Sequence, residues 1–142
     1  MILVHPIYTN PSRFGVVRIK KITNLNEALY GEVNGLVEKP DPKIAETYQT
    51  NGCYLTIAGY YVFNPRIFKY IERTKSGVNN KVQITDSISL ALKEGEKVYA
   101  IIHGKKLGNK IIPYQYWDVG IPEDYKKANK KLSELEIGKY FI

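Results

Sequence analysis

The sequence predicts an α/β fold built on a mixed sheet, and three observations lead to it. Strand-like β-branched and aromatic runs alternate along the chain with helix-like segments. Asn64-Pro65 follows directly on one such run, and an asparagine cap with proline at the first helical position is a helix start. Ile121-Pro122 opens a last long helix, through about Leu135.

Taken in order, Gly15-Val16-Val17-Arg18-Ile19 reads as a short strand, as does Gly35-Leu36-Val37 leading into Glu38-Lys39-Pro40. Asp41 to Asn51 is polar and proline-bearing, a loop with room for one helical turn. Tyr54 to Phe63 is a strand buried on both faces, since its apolar residues do not alternate with polar ones. Gly59 in its interior marks a bulge or a close backbone approach. After Asn64-Pro65, a helix carries an apolar stripe of Ile67, Phe68 and Ile71 to near Thr74, and Lys75 to Lys81 is a basic loop. Asp86 or Thr85 caps a second helix that turns Ile88, Ala91 and Leu92 inward and stops at Gly95. Val98 to Ile102 is a strand, and Gly104 to Gly108 turns into another from Ile111 to Trp117.

The 142 residues suit one domain, 1–142, with 44% hydrophobic and 25% charged residues, which is too apolar for disorder. The longest apolar-looking stretch, Cys53 to Phe63, is well short of the roughly 20 residues a membrane helix needs. No charged leader precedes the opening Met-Ile-Leu-Val-His-Pro, and Cys53 is the sole cysteine. A soluble chain of a reducing cytoplasm, without membrane association, internal disulfide or cysteine-rich zinc cage, is the expectation. Twenty-one Lys and Arg against 14 Asp and Glu give +7, a field that favours anionic partners. Alternatively, those lysines are merely solvated. The run Lys126-Lys127-Ala128-Asn129-Lys130-Lys131 reads as the wet face of the last helix. Without a stacking platform or a groove-reading helix, a nucleic-acid-binding module is disfavoured.

Three segments could carry chemistry. Glu38-Lys39 at a strand end sets a carboxylate beside an ammonium, a pair able to orient a polyol and hold a phosphate; a surface ion pair is the other reading. Asp118 in Tyr116-Trp117-Asp118-Val119-Gly120 ends an apolar strand ahead of a helix, where open α/β sheets bind ligands. It could ligate Mg²⁺ while substrate phosphates supply the remaining oxygens, or simply make a turn. Gln83-Ile84-Thr85-Asp86 reads most simply as a helix cap. His5 and His103 have no carboxylate or second histidine at ligand spacing and read as structural, and Tyr60 and Tyr61 as core and rim aromatics.

The serial order of these pieces is more specific. Ser12-Arg13-Phe14-Gly15-Val16-Val17 is followed by Gly35-Leu36-Val37-Glu38-Lys39-Pro40 and then by Ile57-Ala58-Gly59-Tyr60-Tyr61-Val62-Phe63-Asn64-Pro65-Arg66-Ile67-Phe68. Val82-Gln83-Ile84-Thr85-Asp86-Ser87-Ile88 and Tyr116-Trp117-Asp118-Val119-Gly120-Ile121-Pro122-Glu123-Asp124-Tyr125 come after. Across roughly residues 8–132, this series resembles the C-terminal part of bacterial-type UTP–glucose-1-phosphate uridylyltransferases and related sugar-phosphate nucleotidyltransferases. The resemblance implies the mixed-sheet C-terminal portion of a Rossmann-like nucleotide-diphospho-sugar transferase fold.

It implies roles as well. Glu38 would bond sugar hydroxyls, Lys39 the sugar phosphate, Gly15 and Gly59 would let backbone approach the sugar ring, and Asp118 would help hold Mg²⁺. The implied reaction is NTP plus a sugar-1-phosphate, glucose-1-phosphate foremost, giving NDP-sugar and pyrophosphate. The family's glycine-rich phosphate loop and first metal-binding aspartate have no match here. Lys81 and Tyr54 stand where glutamate and asparagine are common. The chain is therefore expected to be a truncated form, inactive without an N-terminal nucleotide-binding half. Its half-sheet is expected to have an unpaired edge and an exposed apolar face, and so to form a homodimer or join a separately encoded half. A degenerate, non-catalytic sugar-phosphate-binding or assembly protein is the alternative.

Overall fold

The computed structural model describes residues 1–77 and 80–134. The chain runs β1 (Ile2–Ile7), β2 (Gly15–Ile19), β3 (Thr23–Leu25), β4 (Ala28–Glu38), α1 (Pro42–Glu46) and β5 (Tyr54–Tyr61). It continues through α2 (Ile67–Arg73), α3 (Ile84–Lys93), β6 (Tyr99–Ile102), β7 (Gly104–Leu107), β8 (Lys110–Pro113) and α4 (Pro122–Glu134).

The principal sheet is mixed, as expected. β1 lies antiparallel to β5 and parallel to β6, with Val4 beside Ile57 on one side and Ile102 on the other. β6 pairs antiparallel with the first half of β4. The second half of β4 pairs with β2 from Val33–Ile19 to Glu38–Gly15. β2 also joins β5 at Val16–Thr56 and Val17–Leu55. The pairings therefore return on themselves: β1, β2, β5 and β6 each have two strand neighbours and β4 has three, with only the short β3 left at an edge among the described residues. That corrects the expected half-sheet with an unpaired edge. Tyr60, Val62 and Phe68 are each about two-thirds exposed.

α3 closes the inside of this sheet. Ile88 packs into a cluster with Ile2, Val4, Val17, Leu29 and Leu55, and Ala91 is buried as well. Each such buried aliphatic side chain contributes about 1.5–3 kcal/mol of transfer free energy. Gly95 takes a φ of +87° and the Glu96 amide reaches back to the Ala91 carbonyl, which ends the helix where the glycine predicts.

Several elements differ from the sequence expectation. β1 is a central strand, buried between two others, in a segment whose apolar residues were weighed only as a leader. β4 starts seven residues before Gly35, because Asn26 and Glu27, at φ +48° and +67°, close a tight hairpin from β3 without glycine. β5 stops at Tyr61, so Val62 and Phe63 fall outside it. Asn64 accepts from the Arg66 amide and forms a turn, so α2 starts only at Ile67 and Phe68 points to solvent. Gly104 to Leu107 is itself a strand, paired with β8, and Tyr114 to Asp118 is irregular chain rather than the end of a strand. Leu135 and two residues of the Lys75 to Lys81 loop, Val78 and Asn79, lie outside the described residues. Among the described residues, no helix is long and apolar enough to cross a membrane.

Candidate functional site

The end of β4 delivers Glu38 and Lys39. Antiparallel register places Glu38 opposite Gly15, and the Lys39 amide donates to the Phe14 carbonyl at 3.0 Å. Lys39 itself has a φ of +45°, an uncommon left-handed backbone for a residue with a side chain, held by that bond and by Pro40 behind it. The Glu38 side chain is 11% exposed. Its Oε2 accepts from the Thr85 hydroxyl at 2.9 Å, and its Oε1 is 3.9 Å from the Lys39 ammonium.

Thr85 belongs to the first turn of α3, so this bond ties a strand end to a helix 47 residues away. It does not cap the helix, and neither does Asp86: Gln83 is the cap position and no side chain bonds there. Gly15 has an internal reason to lack a side chain. A Cβ on it would lie 2.9 Å from Glu38 Oε2 and 3.0 Å from both Ile57 Cδ1 and Thr85 Cγ2. Burial, and after it the Glu38 charge, push the Tyr61 phenol above its ordinary value.

A hollow of about 270 Å³ is lined in part by Arg13 and Phe14, next to Gly15 in the chain. His5, Arg13, Thr56, Tyr116, Asp118 and Asp124 are among its walls. Arg13 holds Asp124 at 3.2 Å and stands 4.0 Å from Asp118. Asp118 Oδ1 accepts from the Gly120 amide at 3.1 Å, which closes the turn before α4. The Tyr116 ring packs 4.8 Å from that of His5, its hydroxyl donates to the Ala58 carbonyl, and burial raises its phenol pKa. His5 and His103 stand side by side on the parallel strands, with Nδ1 atoms 3.5 Å apart. Burial, and then the neighbouring His103, depress the His5 imidazole below its usual value.

Gly15, Glu38 and Lys39 thus come together. Asp118 borders the neighbouring hollow, and no hydrogen bond or ion pair joins it to Glu38 or Lys39; the Arg13-Phe14-Gly15 segment touches both groups. Gly59 has a φ of +80° at a register shift between β1 and β5, and no atom lies within 4 Å of where its Cβ would be. Of the alternatives for Gly59, the bulge is what forms. Sequence reasoning missed Thr85 as a partner of Glu38, and it missed the His5–His103 contact across 98 residues.

Among the described residues, no group of three or more His, Cys, Asp or Glu gathers in a metal-holding arrangement. Asp118 still offers a hard carboxylate oxygen, 38% exposed at the side chain, which suits Mg²⁺ when other oxygens come from substrate phosphates.

The nucleotidyl transferase family model matches residues 1–134. The low-salt glycan biosynthesis nucleotidyltransferase Agl11 of Haloferax volcanii is 31% identical over 125 residues, covering 88% of this chain and 28% of that protein. The UTP–glucose-1-phosphate uridylyltransferase of Staphylococcus epidermidis is 32% identical over 129 residues, 84% of this chain and 41% of its own length. A UDP-glucose pyrophosphorylase crystallised with UDP-glucose superposes with a TM-score of 0.72 at 24% identity, over 95% of this chain and 44% of that one. The chain thus spans between about a quarter and two-fifths of the length of these curated relatives.

Proposed function

Since the chain belongs to the nucleotidyl transferase family, we propose that its 142 residues form the sugar-phosphate-binding portion of a UTP–glucose-1-phosphate uridylyltransferase-like enzyme. The observation that carries this reading is the Glu38–Lys39 pair, a carboxylate seated by Thr85 and Gly15 beside a part-exposed ammonium. Glu38 accepts from sugar hydroxyls, and Lys39 neutralises the sugar phosphate as a compact charge. A phosphate oxygen then attacks the α-phosphorus of a nucleoside triphosphate in line, and the bond to the departing pyrophosphate breaks. The chain's contribution is to position the nucleophile and balance its charge.

Mg²⁺ fits as the cofactor, with Asp118 as its protein ligand; bound there, it would bridge and neutralise phosphates. Arg13 pairs with Asp124 and stands 4.0 Å from Asp118, so a metal held by Asp118 would compete with the guanidinium for that carboxylate. On this reading Gly59 admits the sugar ring where its Cβ direction is open, and Gly15 serves through the seat it leaves for Glu38. Cytoplasmic nucleotide pools accord with a single, unpaired and buried thiol at Cys53.

On this reading the triphosphate grip is supplied by a portion that carries the family's glycine-rich phosphate loop, which these 142 residues do not. A separately encoded nucleotide-binding half would supply that loop, whereas a homodimer would only cover exposed apolar side chains, and the exposed Tyr60, Val62 and Phe68 support an association of either kind. Light scattering at micromolar concentration tests it: an assembly larger than one chain is expected, and a clean, stable monomer contradicts the homodimer. Pyrophosphate release from UTP, glucose-1-phosphate and Mg²⁺ tests the division of labour. The purified chain alone should give none, and turnover to UDP-glucose by it would overturn the need for a partner.

A further inference from the structure

Thr85 is 4% exposed, and its hydroxyl spends its proton on Glu38 Oε2 at 2.9 Å rather than on the helix it begins. The same side chain's methyl group closes the wall that keeps Gly15 bare, 3.0 Å from where a Cβ would stand. Among the described residues Glu38 has no other side-chain hydrogen-bond donor, since Lys39 lies 3.9 Å off, beyond hydrogen-bond distance. One oxygen of the carboxylate is therefore pinned to the first turn of α3, while Oε1 and the remaining lone pairs stay available for a ligand.

We propose that Thr85 is a positioning residue that sets selectivity for sugar phosphates over bare phosphate, by fixing the Glu38 carboxylate in the orientation that accepts from sugar hydroxyls. It rests on the sugar-phosphate reading above and deepens it. A carboxylate free to rotate about its side-chain torsions would sample several directions and lose acceptor geometry, whereas Lys39 would still hold a phosphate as a point charge. Thr85 therefore acts on the sugar part of the ligand and leaves its phosphate contact alone.

The test is calorimetric titration of the 142-residue chain with two probes, glucose-1-phosphate and inorganic phosphate, in the wild type, Thr85→Val, Thr85→Ser and Glu38→Gln. Removing a hydrogen bond to a charged group should weaken glucose-1-phosphate about ten-fold in Thr85→Val. Thr85→Ser should restore most of that loss, and inorganic phosphate should bind all three equally. If Thr85→Val does not fold, Thr85→Cys, a weak donor of similar volume, takes its place. The proposal is overturned if Thr85→Val matches the wild type while Glu38→Gln is weak, if serine does not restore binding, or if phosphate binding falls in parallel. A wild type that binds inorganic phosphate but shows no preference for glucose-1-phosphate overturns the functional reading itself, and this inference with it.

Discussion

His5 and His103 face each other at 3.5 Å between Nδ1 atoms, across two parallel strands, and one of these nitrogens must be without its proton for the contact to be a hydrogen bond. Tyr116 packs against both rings, Tyr114 meets His103 edge-on, and Asp118 and Arg13 lie along the same hollow. Burial and the His103 charge lower the His5 value below the ordinary 6.5. The unfolded chain therefore binds more protons than the folded one below about pH 6.5. Stability contributed by neutral His5 is present in full above that pH and is lost as pH falls through the folded-state value. Melting temperatures from pH 8 to pH 4.5 should fall on the acid side, and less steeply in His103→Gln, which removes one of the two causes. An identical slope in that variant would contradict the pairing.

Gly15→Ala should be costly on both counts. Its methyl meets Glu38, Ile57 and Thr85 at 3.0 Å or less, and crowding of that kind costs about 1–3 kcal/mol. Denaturant titration should show the loss of stability, and calorimetry should show glucose-1-phosphate binding weakened further than the folded fraction explains. Gly31→Ala is a control away from the site, since its methyl would strike the Ile19 side chain and the Lys21 carbonyl. It should destabilise without changing ligand selectivity in the folded fraction.

Arg13→Ala offers the opposite contrast. Its side chain is 52% exposed and its pairs with Asp118 and Asp124 are open to solvent, so its removal should change stability by less than about 1 kcal/mol. It leaves Asp118 without its counter-charge, while Asp124 keeps Lys127 at 3.7 Å, so Mg²⁺ should bind the variant more tightly in the presence of glucose-1-phosphate. Unchanged metal affinity would mean that the guanidinium does not guard Asp118.

Cys53 is fully buried, and burial pushes its thiol up to about 11. Little thiolate exists at pH 8, so the native protein should resist a thiol-specific disulfide reagent and react fully once unfolded. Rapid labelling of the native chain would place Cys53 elsewhere.

Much of the framework was readable because local signals and tertiary demands agree. Gly15 to Ile19, the proline-started last helix and the glycine stop at Gly95 all form where their residues indicate. β1 is not legible because five apolar residues interrupted by His5 carry no periodicity that distinguishes a central strand. The β3–β4 hairpin escaped because Asn26 and Glu27 make its turn without the usual glycine. Glu38 and Lys39 were visible as a pair, but what seats them was not. Thr85 looks like a helix cap from its neighbours alone, and only the β2–β4 register and the packing of α3 turn its hydroxyl to Glu38. The two histidines meet through parallel pairing, a relation that leaves no short-range mark in a sequence.

The account stands on the strand-terminal acid and its neighbouring lysine gripping a hexose phosphate, and equilibrium titration of glucose-1-phosphate into the chain carrying Lys39→Ala measures this most directly. The wild type should bind saturably, and the variant should lose at least ten-fold, the scale of one charge-assisted contact. Equal affinity in the two proteins, with both folded by their melting curves, would contradict it.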